Sequence, residues 1–345
     1  MKILYDSTIF SVQRYGGVSR YFFEIIKRIS KYKDISVNTF KGLSILPHRF
    51  SKLNNVFLNC KLLKYKYDIY HPTYYSNSII RRKHVKTVVT VYDMIHELFL
   101  PKFKELAEGI DIKKRSILNA DHIICISNTT KNDLKKIYGI NDDRISVVYL
   151  GVSSDGIDSG YAKFNKPVRP YILYVGKRQG YKNFGLLLDA FSRLKIENDF
   201  DLLCFGGGPF SGAESARFKE LGIEKSVKHE QGTDDLLNFY YKNAFVFIML
   251  SFYEGFGLPL LEAMANNCPV IASNAGSLPE IAQDAALLFS PENADELCSC
   301  INSMLKKHNL RSDCIKKGSL LVRNFSWDNT ARETYQVYRK VLDAR

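Results

Sequence analysis

SFYEGFGLPLLEAMA, residues 251–265, follows directly on the apolar run FVFIML, residues 245–250. A short buried strand would deliver Glu254 into a turn in which Gly255 and Gly257 let a ligand approach the backbone closely. Pro259 suits the first turn of a helix, so the spacing predicts a helix beginning around Leu258. The free N–H groups and positive dipole end of that helix can stabilise a phosphate. Glu262 lies one turn further in, on the face that carries Leu258, where a carboxylate can accept hydrogen bonds from two neighbouring hydroxyls, as on a ribose. Two glutamates eight apart say little alone; their setting after an apolar strand, with glycines and a Pro-started helix, points to a site for a sugar, a phosphate and a ribose.

The same strand, small-residue turn and helix recur on both sides of this segment. Upstream in the second half stand YILYVGK (171–177), NFGLLLDAFSRL (183–194) and DLLCFGGG (201–208), and downstream PVIAS (269–273), ALLFS (286–290) and a helix over 293–307. In the first half, KILYD leads to Gly16-Gly17 and a helix from Ser19 to Ser30, followed by DIYHP (68–72), TVVTVYD (87–93), a helix near 103–119, HIICIS (122–127), a helix over 128–138 and ISVVYLG (145–151). Continuous β-branched strands alternating with helices predict parallel sheets covered on both faces. Residues 152–170 lack periodicity and read as a linker. The fold class expected is therefore α/β, with two Rossmann-like doubly wound parallel-sheet domains, 1–160 and 161–326, facing a central cleft in which ligand binds at the strand carboxyl ends.

The 251–265 segment resembles the Glu-x7-Glu motif of the retaining glycosyltransferases of sequence family 4, which have the two-domain GT-B fold. NNCPVIASNAGSLPEIAQDAALLFSPEN (266–293), VGKRQGYKNFGLLLDAF (175–191), the opening D-x3-F-x5-GG-x-SRYFF (6–23) and FSWDNTARETYQVYRKVL (325–342) are similar to the corresponding parts of that family. The resemblance covers essentially the whole chain, and the last helix, about 327–345, is expected to pack back onto the first domain. It implies that Arg178 and Lys182 clasp the donor pyrophosphate. Lys177 is the alternative in a register shifted by one, with Arg178 preferred from the family pattern. Glu254 would contact the donor sugar, Phe256, Gly257 and Leu258 would supply backbone groups, and Glu262 would hold the ribose. Gly16 and Gly17 suit a loop closing over phosphates, although a flexible turn is the plainer reading. Gly206–Gly208 reads as a tight turn near the base.

One departure stands out. Where many members of that family carry His-Asp, with the His facing the donor sugar, this chain has Tyr92-Asp93, and His96 follows three residues later. Either Tyr92 takes that role, or Asp93 and His96 serve donor and acceptor. His71 either lines the acceptor cleft or is an ordinary packed histidine. The sugar is expected to keep its anomeric configuration, with the departing phosphate oxygen taking the acceptor proton. No cofactor and no metal are expected beyond the nucleotide-diphosphate sugar, GDP-mannose first and UDP-hexoses second.

Bulk properties bound these readings. Residues 1–150 carry 26 Lys+Arg against 13 Asp+Glu, whereas residues 151–345 carry 23 of each, so the whole net charge of +13 sits in the first half. That half should meet an anionic partner. Lys52–Lys66 and Arg81-Arg82-Lys83-His84 are candidates for an anionic membrane surface presenting a saccharide or polyprenyl-diphosphate-linked acceptor. Burial against the first sheet and a solvated loop are the plainer readings of those stretches. Nucleic acid is not expected, because the basic residues are dispersed and form no recognised motif. The rival activities are a soluble UDP-hexose-dependent transferase on a small acceptor and, from another class, a noncatalytic nucleic-acid-binding protein; a sugar-nucleotide epimerase is disfavoured by the Glu-x7-Glu segment. The seven cysteines are odd in number and lack paired ligand spacing, and no apolar run approaches the roughly 20 residues that span a bilayer, so a cytoplasmic location, at most on the inner face of the membrane, is expected.

Overall fold

The computed structural model describes residues 1–13, 16–39, 66–75, 84–103, 109–153 and 164–344. All of the Lys52–Lys66 stretch but its last residue, Arg81–Lys83 and most of the expected linker lie outside the described residues. The chain forms two compact units, Met1–Gly151 together with Phe325–Arg345, and Val152–Asn324.

The first unit is built on the strands β1 (Lys2–Tyr5), β2 (Ser36–Thr39), β3 (Ile69–His71), β4 (Lys86–Val91), β5 (His122–Cys125) and β6 (Ile145–Val147). They pair in the order β2-β1-β3-β4-β5-β6, and every pairing is parallel. Helices α1 (Thr8–Val12) and α2 (Gly17–Ile29) follow β1, α3 (Ile95–Phe99) and α4 (Ile110–Asn119) follow β4, and α5 (Asn128–Tyr138) follows β5. Central strands such as β5 are buried at every position, as a sheet covered on both faces requires. Edge strand β2 is largely exposed, and its polar sequence SVNT gave no strand signal.

The second unit contains β7 (Tyr171–Val175), α6 (Phe184–Leu194), β8 (Asp201–Phe205), α7 (Gly212–Glu220), β9 (Val227–Glu230), α8 (Asp234–Asn243), β10 (Val246–Met249), α9 (Leu258–Ala265), β11 (Val270–Ser273), α10 (Leu278–Ala282), β12 (Ala286–Phe289), α11 (Ala294–Lys306) and α12 (His308–Leu321). Its parallel sheet runs β12-β11-β10-β7-β8-β9. The order reverses between β7 and β10, so the loops leaving those two strands diverge to opposite faces and open a crevice at their carboxyl ends. Leu187, Phe191, Leu202, Ile248, Ile271 and Ile301 are among the side chains of the core beneath it. Helix α12 was not expected from the sequence: its interior Gly318 weakens the pattern, and a Cβ there would lie 3.0 Å from Cγ of Met264, so that side chain would have to shift.

The last helix, α13 (Trp327–Asp343), belongs to the first unit although it follows the whole of the second in sequence. Ser326 caps it, its side chain accepting from Asn329 N–H, and Trp327, Thr330, Ala331, Thr334, Val337, Tyr338 and Val341 form one buried face. Large apolar side chains buried in this way contribute about 1.5–3 kcal/mol each. Its approach is close: a Cβ on Gly151 would fall 2.1 Å from the Trp327 nitrogen. Tyr338 and Tyr5 share a 2.8 Å hydroxyl–hydroxyl hydrogen bond, and Arg28 pairs with Asp328 at 2.8 Å.

Candidate active site

The two loops at the reversal point of the second unit carry the principal site residues. After β7, a 3₁₀ turn over Gly180–Lys182 presents Lys182, and after β10 the segment 251–257 presents Glu254. The Lys182 ammonium donates to Glu254 Oε1 at 2.6 Å and stands 4.9 Å from the centre of the Tyr181 ring. Burial acts to lower the basicity of Lys182, but the carboxylate and Tyr181 outweigh it and hold the ammonium well above the usual lysine range. Ser251 also donates to Oε1, while Oε2 of Glu254 accepts from no protein group among the described residues.

The backbone around Glu254 is braced from two sides. Phe252 N–H donates to the Tyr181 carbonyl at 2.8 Å, and both N–H and Oγ of Ser277 donate to the Glu254 carbonyl at 3.0 Å. Gly276 has φ +58°, and a Cβ there would meet the Glu254 backbone at 2.6 Å. Gly257 caps α9 in the left-handed region at φ 98°, with Pro259 in the first turn. Phe256 is buried and Glu262 half-buried. Ser251, Tyr181, Gly276 and Ser277 were not singled out from the sequence, although each lies inside a segment quoted there for its family resemblance.

Arg178 requires a correction. Instead of facing an open site, its side chain is only 3% exposed and is spent on protein partners. Nε donates to Glu214 at 2.6 Å, Nη1 to the Gly206 carbonyl at 2.9 Å, and Nη2 to the Gly208 and Pro209 carbonyls at 2.8 and 3.0 Å. The guanidinium also stacks 4.8 Å from the Phe210 ring centre. Lys177, the alternative in the shifted register, is the exposed cation of this loop.

In the first unit, the loop after β4 holds Tyr92, Asp93 and His96. The Tyr92 ring is buried, edge-on to Tyr21 and Tyr75 at 6.1 and 6.2 Å, which leaves Asp93 as the more exposed member of the pair. Asp93 Oδ1 accepts from Ile95 N–H at 3.1 Å and lies 3.5 Å from the ammonium of Lys113. Burial raises the Asp93 carboxyl, but Lys113, His96 and the Ile95 amide more than offset it and hold the group well below the usual range. Lys113, itself buried, also pairs with Glu97 at 2.8 Å. His96 Nδ1 lies 3.8 Å from Asp93, beyond hydrogen-bond reach, and has no partner among the described residues. Of the two readings of His71, the packed one fits: it is fully buried, with Nδ1 2.6 Å from the Tyr338 hydroxyl and Nε2 2.9 Å from Thr90 Oγ1. Gly16 caps α2, which starts at Gly17, and the Gly16 carbonyl accepts from Ser19 Oγ at 2.9 Å. Asp6, quoted at the head of the opening motif but given no role, ties the ends of β1 and β3 together by accepting from Tyr70 hydroxyl at 2.9 Å and Thr73 N–H at 3.0 Å. Among the described residues, no group of three or more His, Cys, Asp or Glu is placed to hold a metal, and no helix is long and apolar enough to cross a membrane.

Two all-parallel six-stranded sheets with flanking helices match the GT-B glycosyltransferase fold. Sucrose-phosphate synthase from Thermosynechococcus elongatus superposes with a TM-score of 0.83 at 21% identity over 100% of both chains. WaaG, a glycosyltransferase involved in lipopolysaccharide biosynthesis, superposes at 0.72 with 14% identity over 98% of this chain and 99% of that one. Residues 162–320 match the family Glycosyl transferases group 1 and residues 15–155 match Glycosyltransferase Family 4, and the chain belongs to these glycosyltransferases. The O-antigen chain mannosyltransferase B of Escherichia coli is 27% identical over 94% of this chain and 96% of its own length. The O-antigen chain mannosyltransferase RfbU of Salmonella typhimurium is 26% identical over 70% of this chain and 66% of its own length.

Proposed function

We propose that this glycosyltransferase takes mannose from GDP-mannose and passes it, with retention and without a metal, to a saccharide or polyprenyl-diphosphate-linked acceptor in bacterial surface polysaccharide synthesis. The observation that carries the reading is the Lys182–Glu254 pair, 2.6 Å apart at the reversal point of a doubly wound sheet. The mannosyl donor is supported by the two relatives named as O-antigen chain mannosyltransferases. Lys182 and the start of α9 offset the charge that develops on the departing diphosphate. Oε2 of Glu254 accepts a hydroxyl of the donor sugar, and Glu262 holds the ribose. The acceptor hydroxyl attacks from the leaving-group face and gives its proton to the departing phosphate oxygen. The reaction runs in the cytoplasm, and a lipid-linked acceptor brings the basic half of the chain to the inner face of the membrane.

Thermal denaturation with GDP, GDP-mannose, UDP and UDP-hexoses, all with EDTA, tests this. A ligand present at 100 times its Kd stabilises the native state by about 2.7 kcal/mol. Stabilisation by GDP over UDP, lost in Lys182→Ala, is the expected result. A preference for UDP transfers the reading to a UDP-hexose donor, and no response to any nucleotide removes the donor site.

A further inference from the structure

Gly206, Gly207 and Gly208 follow β8 with φ of 77°, 73° and 78°, three left-handed residues in succession. Such a turn has high conformational entropy when unconstrained. Here Arg178 makes most of the side-chain bonds that constrain it, and His229 Nε2 adds one to the Gly206 carbonyl at 3.2 Å. Arg178 takes the carbonyls of Gly206, Gly208 and Pro209, and Gly207 lies so close that a Cβ would stand 2.5 Å from the Gly176 carbonyl and 3.0 Å from Nη1 of Arg178. Glu214 holds the guanidinium from the far side while closing the capping box of α7 with Ser211, and Phe210 covers its face. Gly206 N–H is bonded to the Glu230 carbonyl, whereas the N–H groups of Gly207 and Gly208 donate to no protein group among the described residues. The carbonyl side of the turn is thus bound by protein and its amide side is left for a ligand.

We propose that Arg178 is a positioning residue: with Glu214 and Phe210 it latches the three-glycine turn so that the Gly207 and Gly208 amides meet the nucleotide of the donor, and Lys177 takes the place beside Lys182 on the phosphates. This rests on the reading that the second unit binds a nucleotide sugar. A direct phosphate ligand and a latch differ in how Glu214 behaves. If Arg178 is a latch, Glu214→Gln weakens nucleotide binding in the same direction as Arg178→Met, and the double variant is no worse than Arg178→Met. If Arg178 is a ligand, Glu214→Gln frees it, and binding is unchanged or tighter.

Three measurements on the full chain decide the matter. Calorimetric titration with GDP and with UDP should show affinity falling about tenfold or more in Arg178→Met and measurably in Glu214→Gln. Steady-state kinetics should show a raised donor KM with kcat within about threefold, whereas Lys182→Ala lowers kcat. Amide exchange of a peptide spanning residues 203–212, with no nucleotide present, should be faster in both variants. Unchanged exchange in both overturns the latch whatever the titration gives. Failure of the wild-type chain to bind either nucleotide overturns the donor reading, while the exchange measurement still judges the latch. Should Arg178→Met fail to fold, Glu214→Gln alone separates the two roles.

Discussion

Lys182 and Glu254 stand 72 positions apart in sequence and 2.6 Å apart in the fold. Glu254 was legible from its setting after an apolar strand, with glycines and a Pro-started helix, and Lys182 from the family resemblance, but their mutual contact was not. Because Oε1 of Glu254 already takes Lys182 and Ser251, the carboxylate is fixed in orientation before any ligand arrives. Lys182→Ala and Glu254→Gln are each expected to lower kcat by about a hundredfold or more, the size found when one charge-stabilising group is removed from a water-excluded site. Near-normal turnover in a sugar-transfer assay with folded protein would remove them from the chemistry. Arg178 illustrates the limit of residue-level reading. One position from Lys177, it looks equally cationic in sequence, and only the approach of Glu214, 36 positions downstream, with the 206–210 turn, holds it in the protein interior.

Among the elements, the strands with continuous apolar runs and the helices with one apolar face were the readable ones, because burial on both sheet faces and on one helix face imposes those periods. Strand β2 escaped because an exposed edge needs no apolar residues, and α12 because an interior glycine, Gly318, weakens its helical pattern. Both helix α13 and its destination followed from family resemblance. Its anchor is Tyr338, fully buried and bonded to Tyr5 and His71. Tyr338→Ala should cost about 3–5 kcal/mol, the range for removing a large buried aromatic side chain. The chain's single tryptophan, Trp327, opens the same helix, so its emission during urea unfolding reports the first unit. The midpoint of that transition should fall; an unchanged midpoint would mean that α13 contributes little to the unit it joins.

Over the molecule as a whole, the buried His71 links stability to pH. Burial lowers it from 6.5 to about 3, so the native chain leaves it neutral while the unfolded chain takes up a proton near 6.5. The unfolded state then binds more protons between those values, and stability contributed here falls as pH drops from 6.5 towards 3. At pH 5 the loss amounts to about 2 kcal/mol. Urea midpoints at about pH 7 and about pH 5 should therefore differ more in the wild-type chain than in His71→Gln; equal pH dependence would show that His71 is not the group responsible. The sequence by itself determined that there are two doubly wound parallel sheets and that Glu254 and Lys182 leave strand ends, because hydrophobic period, glycine turns and helix-start chemistry act over a few neighbouring residues. Only the tertiary structure decided that His71 is core, that Arg178 is bonded to Glu214 and the glycine turn, and which residues brace Glu254. Those assignments depend on partners brought together from distant positions, and local spacing carries no information about which polar groups will meet once the sheets have closed.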